Sequence, residues 1–402
     1  MSTTTSATDG LYVTEHEALG ASALSAHILN LTLSGVPFTD IVMHEDRPLK
    51  IRSPDGLIVA EDLYDPITGA RVCAAPFIPT KNDFIDLLGE LDENWEQRMA
   101  NRAMDEGRSF GGTDRLRLNF YYEGDGKMAA VIRRFPVTIP TLEDLDAPDA
   151  LINLAQPRGG LILVVGQTGV GKSTTCAAIL ERMANNWATH ILTIEDPIEF
   201  VHQDRKATFS QRQVGSLGLS SMALGIEDAL RQAPGIIYIS EIRDRETADA
   251  AFFAMDSGHL VIANLHARTP LDGIARLLRI ASGEREARES RCHALATNLI
   301  GAVAQILVPV VDESRRRVGF KAFYEVLTNG AEVQTLIAKD KLDELQIELQ
   351  RAQEGMQSRI DNTHWMNADL AKAISDAKVL QSDAISRTIN VKDLERRIRS
   401  SR

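Results

Sequence analysis

The residues Gly166-Gln-Thr-Gly-Val-Gly171-Lys172-Ser173 fit the spacing G-x-x-x-x-G-K-[ST] in full. Residue types in this order suit one task, the gripping of a phosphate chain. Gly166, Gly169 and Gly171 let the backbone take turns that crowd a side chain, so that its N–H groups point inward. Those N–H groups and the start of the following helix hold phosphate oxygens. Lys172 reaches the β- and γ-phosphates, the Ser173 hydroxyl ligates Mg²⁺, and Thr174 is placed to touch the α-phosphate. The candidate nucleotide site is therefore Gly166, Thr168, Gly169, Val170, Gly171, Lys172, Ser173 and Thr174, with ATP and Mg²⁺ as cofactors. The apolar run LILVV before the loop reads as a strand and STTCAAILERM after it as a helix, with Cys176 on the helix's core face.

A triphosphate site also needs carboxylates for the metal and for the attacking water. Two apolar strands deliver them: ILTI runs into Glu195-Asp196-Pro197-Ile-Glu199, and IIYI into Ser240-Glu241-Ile-Arg243-Asp244. Ligands of open α/β sheets gather at the carboxyl ends of the strands, so both acidic clusters face the loop. Glu241, one residue beyond its strand, is the candidate base. Ser240 stands where an aspartate is usual, which leaves the metal to Ser173, helped through water by Glu195. Glu199 and Asp244 read as solvated charges or helix caps.

A third strand, His259-Leu-Val-Ile-Ala-Asn-Leu-His266, carries a histidine outside each end of its apolar centre. The odd separation turns the two rings to opposite faces and argues against a shared metal. His266, at the carboxyl end, is placed to sense the γ-phosphate.

These strands sit in an α/β domain over 158–328, where unbroken apolar runs (LILVV, ILTI, IIYI, LVIAN, AQILVPVV) are typical of parallel strands covered on both faces. Before it come a polar start at 1–20, a smaller mixed domain at 21–135 and a Pro- and Asp-rich stretch at 136–157 that reads as a linker. After it, 329–402 reads as helical. Lys plus Arg is 44 against 56 Asp plus Glu, a formal net charge of −12. That balance disfavours general nucleic-acid binding, and with it a DNA translocase. The cysteines Cys73, Cys176 and Cys292 are widely spaced, so neither a disulfide framework nor a zinc ribbon is expected. No segment reads as membrane-spanning or as a signal peptide. A cytoplasmic protein, reaching the membrane only through partners, is the expectation.

Taken in order, GQTGVGKSTT, ILTIEDPIEFVHQ, SQRQVG, ALRQAPGIIYISEIRD and SGHLVIANLHA resemble the secretion ATPase family of type IV pili and type II/IV secretion. The likeness is nearest to its pilus-retraction and type IVB or conjugative branches. It implies a RecA-like P-loop ATPase domain, a PAS-like N-terminal domain and a ring of six subunits on an inner-membrane platform. By the same resemblance, Glu195 and Glu241 are the metal-organising and water-activating acids, and His259 and His266 the His-box pair. Arg115, Arg117 and Arg133 match arginines that the family brings to the nucleotide phosphates. Gln334 stands where the retraction branch has arginine. The function implied is a motor that couples ATP hydrolysis to domain movement, powering secretion, conjugative transfer or pilus dynamics.

Overall fold

Ser22 caps the first helix. Its hydroxyl accepts the Ser25 N–H at 3.2 Å and so satisfies one of the orphan donors of α1 (Ala23–Leu33). The computed structural model describes residues 22–34, 36, 38–60, 63, 71, 77–100, 103–110, 114–136, 138–156, 159–215, 219–281, 285–360 and 363–400. The polar start at 1–20 and Cys73 lie outside them. The chain forms two units, Met1–Val137 and Thr138–Arg402.

The first unit continues through β1 (Asp40–His44), β2 (Lys50–Ser53), β3 (Gly56–Val59), α2 (Lys81–Leu91), α3 (Trp95–Met99), β4 (Met104–Phe110), β5 (Asp114–Tyr122) and β6 (Met128–Pro136). Its six strands make one antiparallel sheet in the order β3-β2-β1-β6-β5-β4. Gly56, at φ +112°, closes the turn between β2 and β3 in a conformation that an L side chain resists. Alternation decides the faces. Leu116, Leu118, Phe120, Ala130 and Ile132 join the core with α1 and α2, so the residues between them fall on the opposite face.

The second unit holds α4 (Asp149–Leu154), β7 (Gly160–Val165), α5 (Lys172–Asn186), β8 (His190–Glu195), β9 (Thr208–Gln213), α6 (Met222–Ala229), β10 (Ile236–Ile239), α7 (Arg245–Asp256), β11 (Leu260–Leu265), α8 (Pro270–Ala281), α9 (Arg285–Asn298), β12 (Leu299–Val311) and β13 (Arg317–Thr328). The remainder is α10 (Ala331–Ala338), α11 (Leu342–Gln353), β14 (Thr363–His364), α12 (Met366–Ser375), α13 (Gln381–Arg387) and α14 (Val391–Ser400). Its sheet runs β14-β13-β12-β7-β11-β10-β8-β9. The stretch from β12 to β9 is parallel, and β13 and β14 close one side antiparallel.

Every residue of β7 and β11 is buried, which is why these strands read as unbroken apolar runs. Leu161, Leu163 and Val165 face one core with α6 to α9, while Ile162 and Val164 face another with α4 and α5. A third cluster joins β12 and β13 to α12, α13 and α14. Among the described residues no helix is long and apolar enough to cross a membrane.

One expectation changes. The stretch read as a linker is packed structure over most of its length. Thr141 and Asp144 cap each other, with the Thr141 hydroxyl 2.7 Å from Asp144, and Leu142, Leu151 and Leu154 are buried in the α5-side core. Proline and aspartate mark caps and helix starts as readily as linkers, and here they start α4. Leu151→Ala should therefore cost about 2–5 kcal/mol in chemical denaturation. An effect within about 0.5 kcal/mol, as for an exposed residue, would restore the linker reading.

Candidate functional site

The strand order sets out the site. β7, β11, β10 and β8 are neighbours, and their registers (Val165 beside Leu265, Ala263 beside Ile239, Ile239 beside Ile194) align their carboxyl ends. The loop, His266, Glu241 and Glu195 therefore follow one another along one edge of the sheet.

The loop from Gly166 to Gly171 joins β7 to α5. Gly169 and Gly171 adopt φ of +78° and +88°, and a Cβ on Gly166 would lie 2.7 Å from Val170 Cγ2. The glycines thus answer to steric demand. Turning N–H groups inward leaves carbonyls to be satisfied, and side chains do this. Lys172 Nζ donates to the carbonyls of Gly166 and Gln167, each at 2.9 Å. Gln305, buried on β12, donates from Nε2 to the Val170 carbonyl at 2.7 Å, while its Oε1 is buried without a hydrogen-bond partner among the described residues. The first turn of α5 places Ser173 and Thr174 beside the loop's end.

Glu241 is half-buried and engaged at both oxygens. Oε1 lies 3.0 Å from His266 Nε2 and Oε2 lies 2.8 Å from an Arg243 amino group. Arg243 also lies 3.7 Å from Asp196 at the end of β8. His266 reaches back to the loop, with Nδ1 3.3 Å from the Gly166 carbonyl. A carbonyl and a carboxylate both accept, so His266 makes both bonds at once only as the imidazolium. The chain Gly166–His266–Glu241–Arg243 links the loop to the candidate base. Asp244 caps α7 by accepting the Thr247 N–H at 2.8 Å.

Glu195 stands apart from that chain. It ends β8, three strands from β7 or about 14 Å across the sheet. It is buried, and Oε1 accepts from the Thr193 hydroxyl at 2.7 Å and from Gln211 Nε2 at 3.0 Å. Burial pushes its carboxyl above the usual range, although these two bonds oppose the shift. Under α5 lies a run of buried polar groups. The Cys176 thiol donates to Asn264 Oδ1 at 3.0 Å and Asn264 Nδ2 donates to the Tyr238 hydroxyl at 3.0 Å. Thr175 and Tyr324 share a hydroxyl contact at 3.3 Å. Burial raises the Tyr324 phenol to about 12 and pushes the Cys176 thiol up as well, so Cys176 is a core residue without nucleophilic character.

Two sets of expected residues lie elsewhere. His259 is at the amino end of β11, about 20 Å along the strand from the loop, with Nδ1 3.2 Å from the Ala254 carbonyl. Within its own chain it closes the end of α7 and does not meet the loop. Arg115, Arg117 and Arg133 belong to the first unit, on the face of β5 and β6 opposite its core, where Arg117 and Arg133 are register partners. Arg117 bonds Asp105 at 3.1 and 2.6 Å, and Arg133 bonds Asp40 at 2.8 Å. Arg134, next on the same strand, lies over the Phe38 ring.

Arg243 and Gln305 are the contributors that residue patterns did not single out. Gln305 was visible as a break in an apolar run. Its partner lies 135 residues upstream, and only the β12–β7 pairing, with Ala304 beside Val165, joins them.

The type II/IV secretion system protein family model matches residues 136–399. The type IV pilus ATPase PilU of Pseudomonas aeruginosa is 34% identical over 310 residues, spanning 77% of this chain and 77% of PilU. The type IV pilus retraction ATPase PilT of the same organism is 35% identical over 236 residues, 58% of this chain and 65% of PilT. The crystal structure of the pilus retraction motor PilT with bound ADP matches with a TM-score of 0.73 at 29% identity, covering 94% of this chain and 100% of PilT. The Legionella pneumophila ATPase DotB shares the fold, with a TM-score of 0.69 at 23% identity over 90% of this chain and 92% of DotB. The matched region holds the whole parallel sheet and the loop, acid and histidine cluster at its edge, and the chain belongs to the type II/IV secretion system protein family.

Proposed function

We propose that this chain is a motor subunit that hydrolyses ATP at the loop–Glu241–His266 cluster and, as a homo-hexamer, turns that reaction into movement of a type IV pilus or a related secretion apparatus. Its enzymatic class, an ATP hydrolase, is that of its named relatives. The pilus ATPase matches span 77% and 58% of this chain, against 39% for the type II secretion proteins, and that breadth favours pilus dynamics over secretion. The juxtaposition that carries the reading is His266 bridging the loop carbonyl of Gly166 and the Glu241 carboxylate.

In the proposed cycle the triphosphate enters against the inward N–H groups, and Lys172 Nζ exchanges the Gly166 and Gln167 carbonyls for phosphate oxygens. The terminal phosphate competes with Glu241 for Arg243 and His266. One Glu241 oxygen is thereby released to take a proton from the attacking water. The water oxygen bonds to the terminal phosphorus as the bond to ADP breaks, and the transition-state charge is met by Lys172 and the histidine. Thr174 contacts the α-phosphate. Mg²⁺ would be held by Ser173 and, through water, by Glu195, and when bound it withdraws charge from the phosphates. The buried Glu195 carboxyl, raised by desolvation, suits a nearby cation that would offset that cost.

In the same reading, Arg115, Arg117 and Arg133 of a PAS-like first unit add positive charge around the phosphates, which requires Arg117 and Arg133 to leave Asp105 and Asp40. The second unit is RecA-like with a helical C-terminal region. His259 acts outside its own chain's nucleotide site. The working protein is cytoplasmic, at the inner face of the membrane through a platform partner, and needs no nucleic acid.

Lys172→Ala should weaken ATP binding by about 10- to 100-fold in equilibrium titration with a fluorescent ATP analogue. Glu241→Gln should keep that binding but lower phosphate release by about 10²–10⁴; unchanged turnover would remove Glu241 as the base. Gln305→Leu strands the Val170 carbonyl. It should cost about 1–3 kcal/mol of stability and weaken ATP binding together, and a loss of stability alone would confine Gln305 to packing.

A further inference from the structure

A cavity of about 370 Å³ opens in the second unit. It lies between the start of α8, the end of β13, α11, β14 and the segment before α14. Its size is in the range of small-ligand sites, roughly 300–1,000 Å³.

The chemistry of the wall is one-sided. Asp272 and Glu325 line it, Trp365 stands at its side, and no Lys, Arg or His is among its lining residues. One flank is a closed polar network. Thr388 donates to Asn367 Oδ1 at 2.7 Å, and Asn367 and Gln353 donate to Asp393 at 3.0 and 3.1 Å. Asp393 is neutralised by Arg396 and Arg397. These groups have spent their hydrogen-bonding capacity on one another.

The other flank is unsatisfied. Glu325, half-buried, makes no hydrogen bond or ion pair among the described residues, and the Thr363 hydroxyl oxygen, also on the wall, is buried without a partner among them. The nearest basic group, His364, is committed to Asp369 at 2.7 Å. Burial and the fields of Asp393 and Asp272 outweigh His364 and push the Glu325 carboxyl up to about 7. A carboxyl held this way in a cavity lacks a counter-charge.

We propose that this cavity binds a small organic cation, an alkylammonium or guanidinium compound whose charged end sits on Glu325 and whose stem packs against Trp365 and Leu349. An acid and an aromatic face are the partners such a group takes. A volume of this size suits a free metabolite. The inference is independent of the motor reading, because the cavity shares no lining residue with the loop, Glu241 or His266.

Titration calorimetry on the full chain without nucleotide, using agmatine, spermidine and ethanolamine as probes, tests this. At least one should bind saturably near pH 8, and the affinity should fall about tenfold or more in Glu325→Gln. It should also fall on going to about pH 6, where Glu325 takes up its proton. Leu349→Trp, which fills the cavity and leaves the acid in place, should abolish binding, and both variants should melt cooperatively. An uncharged analogue such as butylurea should not bind. Absence of saturable binding by all three cations, or binding that survives both substitutions unchanged, would overturn the proposal. So would tight binding of an arginine-containing peptide with none of the free amines, since that would assign the cavity to a partner protein.

Discussion

A loop that turns its N–H groups inward must find partners for its carbonyls. That constraint shapes the site. Gly166, Gly169 and Gly171 make the turn possible, but glycine alone leaves the carbonyls of Gly166, Gln167 and Val170 to be satisfied. Lys172 caps the first two, His266 leans on the first, and Gln305 holds the third from inside the sheet. An unpaired buried carbonyl costs about 1–3 kcal/mol, so Gln305, whose bond to Val170 is buried, holds the cradle's shape before any phosphate arrives. Lys172 and His266, whose side chains reach the loop from its rim, are those a phosphate can draw away. Gln305 is buried, and its hold on Val170 needs no exchange with a ligand.

The same economy governs the acids. Glu241 is held between His266 and Arg243, which occupies both of its oxygens at the sheet edge. Such an acid becomes a base only when a competitor takes one of its partners, and the terminal phosphate is the obvious competitor. Glu195 is governed by burial, with the Thr193 and Gln211 bonds partly offsetting desolvation. Two carboxylates on neighbouring strand ends are therefore held differently, one by charged partners and one by burial.

Much of this was legible in the residues. Unbroken apolar runs reported the parallel strands because both faces of β7 and β11 are covered. The loop was legible because its spacing is local and each glycine answers to a local steric demand. What escaped depends on contacts distant in sequence. Gln305 meets Val170 through strand pairing that no window reveals, and Arg243 shares Glu241 with a histidine from another strand. The stretch 136–157 misled because its prolines and aspartates, taken for linker punctuation, cap turns whose leucines are buried. His259 was grouped with His266 by likeness. The odd spacing and the strand's length already implied opposite faces and opposite ends.

The central claim is that the cradle is held open by exchangeable charges on its carbonyls. A structure of the chain with Mg²⁺ and a non-hydrolysable ATP analogue tests it most directly. The account predicts Lys172 Nζ on phosphate oxygens instead of the Gly166 and Gln167 carbonyls, Gln305 still on the Val170 carbonyl, and one Glu241 oxygen released toward the terminal phosphorus. A bound triphosphate with Lys172 still capping the loop, or with both Glu241 oxygens still held by His266 and Arg243, would contradict it.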